Sequence, residues 1–404
     1  MNPTMQIPAT KIPATRIPTM QIPLSAPDLG EAEIEAVVSV LRSSRLSLGP
    51  KKEEFEHNFA SYIGVPHAVA VSSGTAGLHL SLLALKLGPG DEVLVPSFAF
   101  IAAANAIRYV GATPVFVDID PLTLNLDPEK IAAAITPRTR AILVVHTFGC
   151  PAEMSSILEL ARRHNLFVLE DACEALGAEY EQQKLGSFGD VAVFAFYPNK
   201  QITTGEGGMV VTRDAALAAQ MRALRNHGRY DTDDWFQHQE VGYNYRLSEL
   251  ACALGIVQLQ RIESILIRRE TIAREYSQLL KNLDDLFLPP LDLPSRRISW
   301  FVYVVRLHPR YTQQDRDAIL QDMTRNGIGC GRYFAPIHLQ PSYAAWRDLD
   351  DLSITESQAA RSLALPFFNR ITTEEIESVV RVLQQCLAKI SVSAAGEDHA
   401  ALRR

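Results

Sequence analysis

Residues 194–208 read FAFYPNKQITTGEGG, an apolar and aromatic run that turns abruptly into one lysine and then into small, glycine-rich sequence. Residues 192–197 have the composition of a buried strand, and Gly205, Gly207 and Gly208 supply the backbone freedom for close approach to a bound group. Most lysines that follow a strand lay the stem along apolar surface and keep the ammonium in water. A lysine held in this setting is partly desolvated instead. Desolvation disfavours the ammonium, so the amine becomes available as a nucleophile near neutral pH. Lys200 is therefore a candidate for Schiff-base chemistry.

Working outward from this stretch, the chain alternates strand and helix. Strands are expected at 67–71, 92–95, 113–117, 141–146 and 166–169, with helices such as 76–87 and 153–163 between them. Upstream, Ile34, Val37, Val38 and Leu41 recur at helical spacing within 31–43, with Asp28 ahead as a cap. Downstream, MVVT after Gly208 predicts a strand and 215–225 a helix. The pattern predicts an α/β fold, a mostly parallel central sheet flanked by helices, with its ligand at the carboxyl ends of the strands. A long helix over 247–280 then leads to a smaller C-terminal α+β domain with a strand at 300–307 and helices at 316–326 and 373–387. The expected division is a flexible arm at 1–24, a large domain at 25–255, a small one at 256–390 and a tail at 391–404. The arm repeats an Ile-Pro unit, and proline at that density breaks both helix and strand.

Bulk properties narrow the function. A chain of 404 residues with 47% hydrophobic composition has room for a large core. Its net charge of −7 argues against nucleic acid or an anionic membrane as the partner. The five cysteines form no CxxC pair and no His/Cys cluster at zinc spacing, so neither a disulfide framework nor a metal is expected. No apolar run has the length of a membrane span and no secretory signal opens the chain, which leads to the expectation of a cytoplasmic protein.

The expected strand ends carry the remaining candidates. Ser72-Ser73-Gly74-Thr75 opens a helix, where amides, a hydroxyl and the helix dipole suit a phosphate, although Ser/Gly-rich turns also serve as plain caps. Phe100 offers an aromatic face, and Glu170-Asp171 stands at the mouth of the expected site, where a carboxylate also commonly caps a helix. One cofactor accounts for all of them. Pyridoxal 5'-phosphate needs an amine for its aldehyde, a carboxylate for its ring nitrogen, a stacking surface and a phosphate cup, and Lys200, Asp171, Phe100 and Gly74-Thr75 supply these in turn.

The blocks HAVAVSSGTAGL, DEVLVPSFAFIAAANAI, LEDACEALGA, GSFGDVAVFAFYPNKQITTGEGGMVVT, RNHGR, GYNYRLSELACALG and PIHLQPSY together resemble the DegT/DnrJ-type sugar aminotransferases, over nearly the whole chain after residue 24. The resemblance implies the aspartate aminotransferase-like fold, with Lys200 joined to the cofactor aldehyde, Asp171 at the ring nitrogen, Phe100 stacked on the ring and Gly74 with Thr75 at the phosphate. It places Glu174 near the cofactor's phenolic oxygen, where relatives often have Gln or His, and Asn244 at the phosphate of a neighbouring subunit, hence a homodimer with shared sites. Ala195 departs from the family, which often has a phosphate-contacting serine there. Relatives that dehydrate carry histidine in place of the lysine, so Lys200 favours transamination. The implied reaction is ping-pong, from glutamate to a nucleotide-linked keto sugar, at C4 of a 4-keto-6-deoxy sugar or, as second choice, at C3. Tyr333, His338 and Arg229 are candidates for the sugar side. Two alternatives belong to other classes: a non-catalytic regulator on the same fold, and a nicotinamide-dependent sugar-nucleotide enzyme, disfavoured because no GxGxxG follows a strand.

Overall fold

The computed structural model describes residues 22–230, 233–234, 236–346 and 351–401, with side chains up to residue 390. Residues 1–21 of the expected arm and 402–404 of the expected tail lie outside the described residues.

Two helices come first, α1 (Glu31–Leu41) and α2 (Pro50–Ile63). Asp28 does not cap α1. Gly30 takes the N-cap place, its N–H donating to Glu33 at 2.8 Å, while Asp28 is drawn to Arg261 at 2.9 Å and Arg370 at 2.8 Å. The alternation then runs β1 (His67–Val71), α3 (Gly74–Ala84), β2 (Glu92–Pro96), α4 (Ala102–Tyr109), β3 (Thr113–Val117), α5 (Pro128–Ala134), β4 (Thr139–Val145), α6 (Met154–His164) and β5 (Phe167–Asp171). After a short hairpin, β6 (Glu179–Tyr180) and β7 (Gln183–Lys184), come β8 (Val191–Ala195), β9 (Gly208–Thr212) and α7 (Ala215–Arg225). The seven-stranded sheet has the order β1-β9-β8-β5-β4-β2-β3. Its pairs are parallel from β8 through β5, β4 and β2 to β3, and only β9 runs antiparallel to its neighbours.

Strands covered on both faces need apolar side chains on both, and β8 shows how they divide. Phe194 points into a core with Phe55, Phe59 and Ile256, and Val193 into the opposite core with Leu78, Leu80 and Ala103. The carboxyl ends of β1, β5 and β8 are thereby left as the rim on which a ligand can rest.

The long helix expected over 247–280 is two, α8 (Glu249–Gln260) and α9 (Ile262–Leu280), bent by 63°. Arg261 stands at the break, its guanidinium held by Glu33 at 2.6 Å and Asp28 at 2.9 Å. No single described helix is long and apolar enough to cross a membrane. The C-terminal half holds β10 (Leu286–Phe287), β11 (Arg296–Arg297), β12 (Tyr303–Leu307), α10 (Gln313–Arg325), α11 (Ser353–Arg361), β13 (Ser362–Leu365) and α12 (Thr373–Ala401). The antiparallel sheet β10-β12-β13 packs with α9, α10 and α12 around Ile272, Tyr276, Tyr303, Ile319 and Val379. Three features differ from expectation. Ile22, at the end of the arm, is buried in this core and bridges Ile328 in parallel, so residues 22–24 are docked on the chain itself. Residues 391–401 continue α12 as a helix. Finally, Ile337, Tyr343 and Leu352 return to the core of the large sheet, which anchors the C-terminal half on the site.

Candidate active site

Lys200 follows β8 in a loop that closes on itself. Phe196 donates its N–H to Gly207 O at 2.9 Å and accepts from Thr204 N at 3.0 Å, while Lys200 N donates to Tyr197 O at 2.9 Å. Gly207 has φ +156°, and a Cβ there would lie 2.3 Å from Thr204 Oγ1, so the turn demands glycine. The lysine thus enters a cavity of about 580 Å³ lined by Gly74, Thr75, Phe100, Asp171, Glu174 and Ala195 from the large sheet's side. Phe301, Arg332, Tyr333 and Phe334 close it from the C-terminal half. The Lys200 side chain is 14% exposed; its Nζ lies 3.7 Å from Glu174 Oε1 and 4.0 Å from the centre of the Phe301 ring. The facing carboxyl is that of Glu174, the residue expected near the cofactor's phenolic oxygen.

Three carboxylates follow one another here with different surroundings. Asp171 ends β5 and caps no helix; its Oδ1 accepts from Cys173 N at 3.1 Å, and the residue lines the cavity. Glu174 accepts from Phe148 N at 3.0 Å. Burial pushes the Glu174 carboxyl up, against the opposing pull of Lys200 and the Phe148 N–H, with the Asp171 charge adding to the rise. Glu170 departs from expectation. One residue before Asp171 on the same strand, it points to the other face and never reaches the cavity. It accepts there from Gly186 N, Phe188 N and Gly189 N at 2.8–2.9 Å and pairs with His146 Nε2 at 3.1 Å.

The start of α3 forms the floor. Ser73 Oγ accepts from Ala76 N at 3.1 Å, and the N–H groups of the first turn have no intrahelical acceptor. A Cβ on Gly74 would meet Ala195 Cβ at 2.8 Å and Cys173 Sγ at 2.9 Å, so glycine keeps this helix start open where a larger residue would block it. Phe100, 64% exposed, presents its ring at the cavity. An amine, a carboxylate, an uncovered aromatic face and a free helix start around one cavity fit pyridoxal phosphate.

The substrate candidates divide. Tyr333 lines the cavity. His338 does not: it is 0% exposed, its Nδ1 2.7 Å from Ser97 Oγ and its Nε2 3.1 Å from Glu356, so both ring nitrogens are committed to holding the C-terminal half against the end of β2. Asn244 is exposed and bridges Asn226, and Arg229 also lies outside the cavity lining of its own chain. Sequence reasoning passed over Asn199, Glu206, Phe301 and Arg332, all of which line the cavity. Adjacency to Lys200 was the one signal available for Asn199. Phe301 lies more than a hundred positions away and gave none, while Arg332 stands beside Tyr333, which the sequence had singled out.

The DegT/DnrJ/EryC1/StrS aminotransferase family model matches residues 27–384. GDP-perosamine synthase of Caulobacter vibrioides is 44% identical over 90% of this chain and 98% of its own. Among solved structures, the aminotransferase TlmJ from Streptoalloteichus hindustanus superposes with a TM-score of 0.87 at 35% identity, covering 92% of this chain and 100% of its own. The sugar aminotransferase Spr1654 from Streptococcus pneumoniae, in its PLP form, gives 0.86 at 28% identity, covering 91% and 99%. With a lysine-centred cavity at the strand ends of a matching fold, this chain belongs to the DegT/DnrJ/EryC1/StrS aminotransferase family and is a PLP-dependent sugar aminotransferase.

Proposed function

We propose that the protein moves the amino group of glutamate to C4 of a nucleotide-linked 4-keto-6-deoxy sugar, with a C3 ketone as the second choice, in a homodimer with shared sites. The carrying observation is the Lys200 amine, largely buried and 3.7 Å from Glu174, in one cavity with Asp171. The name of the 44% identical relative makes a GDP-linked acceptor the first to try.

Pyridoxal phosphate, when bound, supplies the electron sink that lets a C–H bond beside the transferred nitrogen lose its proton. Lys200 would hold the group by its aldehyde and, once displaced by the amino donor, would carry protons at Nζ. Asp171 would keep the ring nitrogen protonated by its charge. Glu174, biased by burial toward its neutral form, would offer a carboxyl proton to the ring oxygen. Phe100 would cover the ring, the Gly74 and Thr75 amides would take the phosphate, and Ala195 would contribute no hydroxyl there. Tyr333 would bound the sugar side. Phe301 and Phe334 would exclude water from the same cavity.

Asn244 and Arg229 stand outside their own chain's cavity, which supports their acting on a neighbour. In a hybrid dimer of Lys200→Ala and Asn244→Ala subunits, one site then collects both lesions and the other none, so about half the activity returns. An impaired Asn244→Ala parent without recovery in the hybrid would refute the shared site. The reaction itself is tested by offering glutamate and a panel of keto nucleotide-sugars and weighing the products. Amine loading by glutamate with no aminated sugar would instead identify a regulator.

A further inference from the structure

Lys200 Nζ meets two groups that the large sheet does not hold by itself. The Phe301 ring comes from the C-terminal half, and the Glu174 carboxyl is aimed by the N–H of Phe148. Both lead to Arg269 on α9. Its Nε donates to Trp300 O at 2.7 Å, its Nη2 to Phe301 O at 2.9 Å and its Nη1 to Asn369 Oδ1 at 2.8 Å. Phe301 N donates in turn to Phe148 O at 3.2 Å, and Ser299 N to Gly149 O at 3.1 Å, so segment 299–301 is stitched to the turn at 148–149. Gln201, next to Lys200, completes the assembly, its Nε2 donating to Glu174 O at 2.6 Å and to Ser299 Oγ at 3.0 Å.

Two features of this clamp are unfavourable to the fold taken alone. Trp300 has φ +52° and Phe148 φ +56°, left-handed conformations that bulky residues adopt only where surrounding contacts impose them. Arg269 is 3% exposed and its three acceptors are all uncharged, so burial pushes the guanidinium down to about 10 with no carboxylate among them to offset the lost hydration. A planar fork holds two successive carbonyls at once, a geometry that an ammonium on a flexible stem does not reproduce. We infer that Arg269 is a positioning residue for the transamination: gripping the Trp300 and Phe301 carbonyls, it fixes the Phe301 ring 4.0 Å from Lys200 Nζ and, through Phe148, the Glu174 carboxyl at 3.7 Å. Arg269 does not line the cavity itself. Lys200 carries protons in both half-reactions, so both depend on the clamp while substrate binding does not. This rests on the role proposed for Lys200 and deepens it by naming what holds the groups around its amine.

The test follows the glutamate half-reaction by cofactor absorbance and the sugar half-reaction by product mass. Arg269→Lys, which keeps the charge and gives up the fork, should lower the saturating rate of both about tenfold, while the half-saturating concentration of each substrate stays within about twofold. Phe301→Leu should do the same. The double variant should fall no more than about twofold below the slower single one, because both act on one contact. Asn369→Ala is the structural control: it cuts only the third arm of the guanidinium, so Tm should fall while both rates stay within about twofold of wild type. A readout independent of turnover is amide exchange in the cofactor-free protein, which at residues 299–301 should speed up about tenfold in Arg269→Lys and keep its wild-type rate in Asn369→Ala. Rate losses as large in Asn369→Ala as in Arg269→Lys, losses that multiply in the double variant, a loss confined to one half-reaction, or unchanged exchange overturns the inference. If Arg269→Lys fails to fold, Arg269→Gln takes its place in every comparison, and wild-type rates in Phe301→Leu overturn the inference whichever variant folds. Wild type that takes no amine from glutamate sinks the inference together with the proposed function; wild type that takes it, with any of the other overturning results, sinks the inference alone.

Discussion

Glu170 and Glu174 are four residues apart and both buried, yet their surroundings drive them in opposite directions. Behind β5, Glu170 is met by three backbone N–H groups and by His146 Nε2. Ala152 N donates to His146 Nδ1, which leaves Nε2 to carry the proton that Glu170 accepts. Burial alone would raise the Glu170 carboxyl, but the hydrogen bond with His146 together with these amides holds it below its usual value. In front, Glu174 has one backbone N–H and an ammonium at 3.7 Å, and burial prevails. Donor supply rather than depth decides whether a buried carboxyl stays ionised. A fully supplied pocket is architecture, and an undersupplied one facing a cavity leaves room for a ligand.

The strongest break in this comparison is Lys200→Ala, which deletes the cation paired with Glu174 and leaves Glu170 untouched. Transamination should fall about 10⁴-fold with the fold intact, and borohydride reduction, which should tag Lys200 in the wild type, should trap nothing. A reduced adduct on another lysine would displace Lys200 from its role. Next in size, Glu170→Gln must turn an N–H2 toward donors it cannot accept from, so stability in urea should drop by about 3 kcal/mol while cofactor absorbance persists. The sign with pH is specific. The folded value of Glu170 is depressed, so its contribution is present above 4.5 and lost as pH falls through the folded value; the gap between wild type and variant should close in acid.

Asp171→Ala tests the open side without touching the lysine. Turnover at saturating cofactor should fall about 10²- to 10³-fold while the cofactor still attaches to Lys200. Near-normal turnover would reduce Asp171 to the turn it makes with Cys173. The smallest effect sharpens the comparison most. The folded value of Glu174 is raised, so its ionisation costs stability once pH climbs from 4.5 through that value; cofactor-free Glu174→Gln should match wild type in acid and exceed it by about 1 kcal/mol at neutral pH. Urea midpoints across pH would show the gap opening upward here and closing downward for Glu170. Gaps of the same sign for both residues would dissolve the distinction.

Much of the scaffold was legible because it is written locally. The strands at 67–71 and 113–117 and the helix at 215–225 have the expected bounds, since alternating apolar runs and caps lie within a few residues of one another. The misread features depend on distant partners. Asp28 has the chemistry of a cap, but the Arg261 and Arg370 guanidinia outcompete the helix start for its carboxylate. His338 has the chemistry of a site residue, but Ser97 and Glu356 use both its nitrogens.

The sequence by itself determined an α/β chain with a lysine in a glycine-closed loop after a buried strand, and motifs sufficient for the family, because strand period, turn chemistry and residue order are local properties. The motifs also singled out Asp171, while only the tertiary structure decided which face of β5 opens on the cavity and so turns its neighbour Glu170 away from it, since alternation divides a strand's residues between two faces without saying which face opens. It also brought Glu249 to the first amides of α2, at 2.8 and 3.0 Å from Lys51 N and Lys52 N, and Phe301 and Tyr333 to Lys200. Contacts across a hundred residues or more depend on how the layers stack, and no local pattern encodes that.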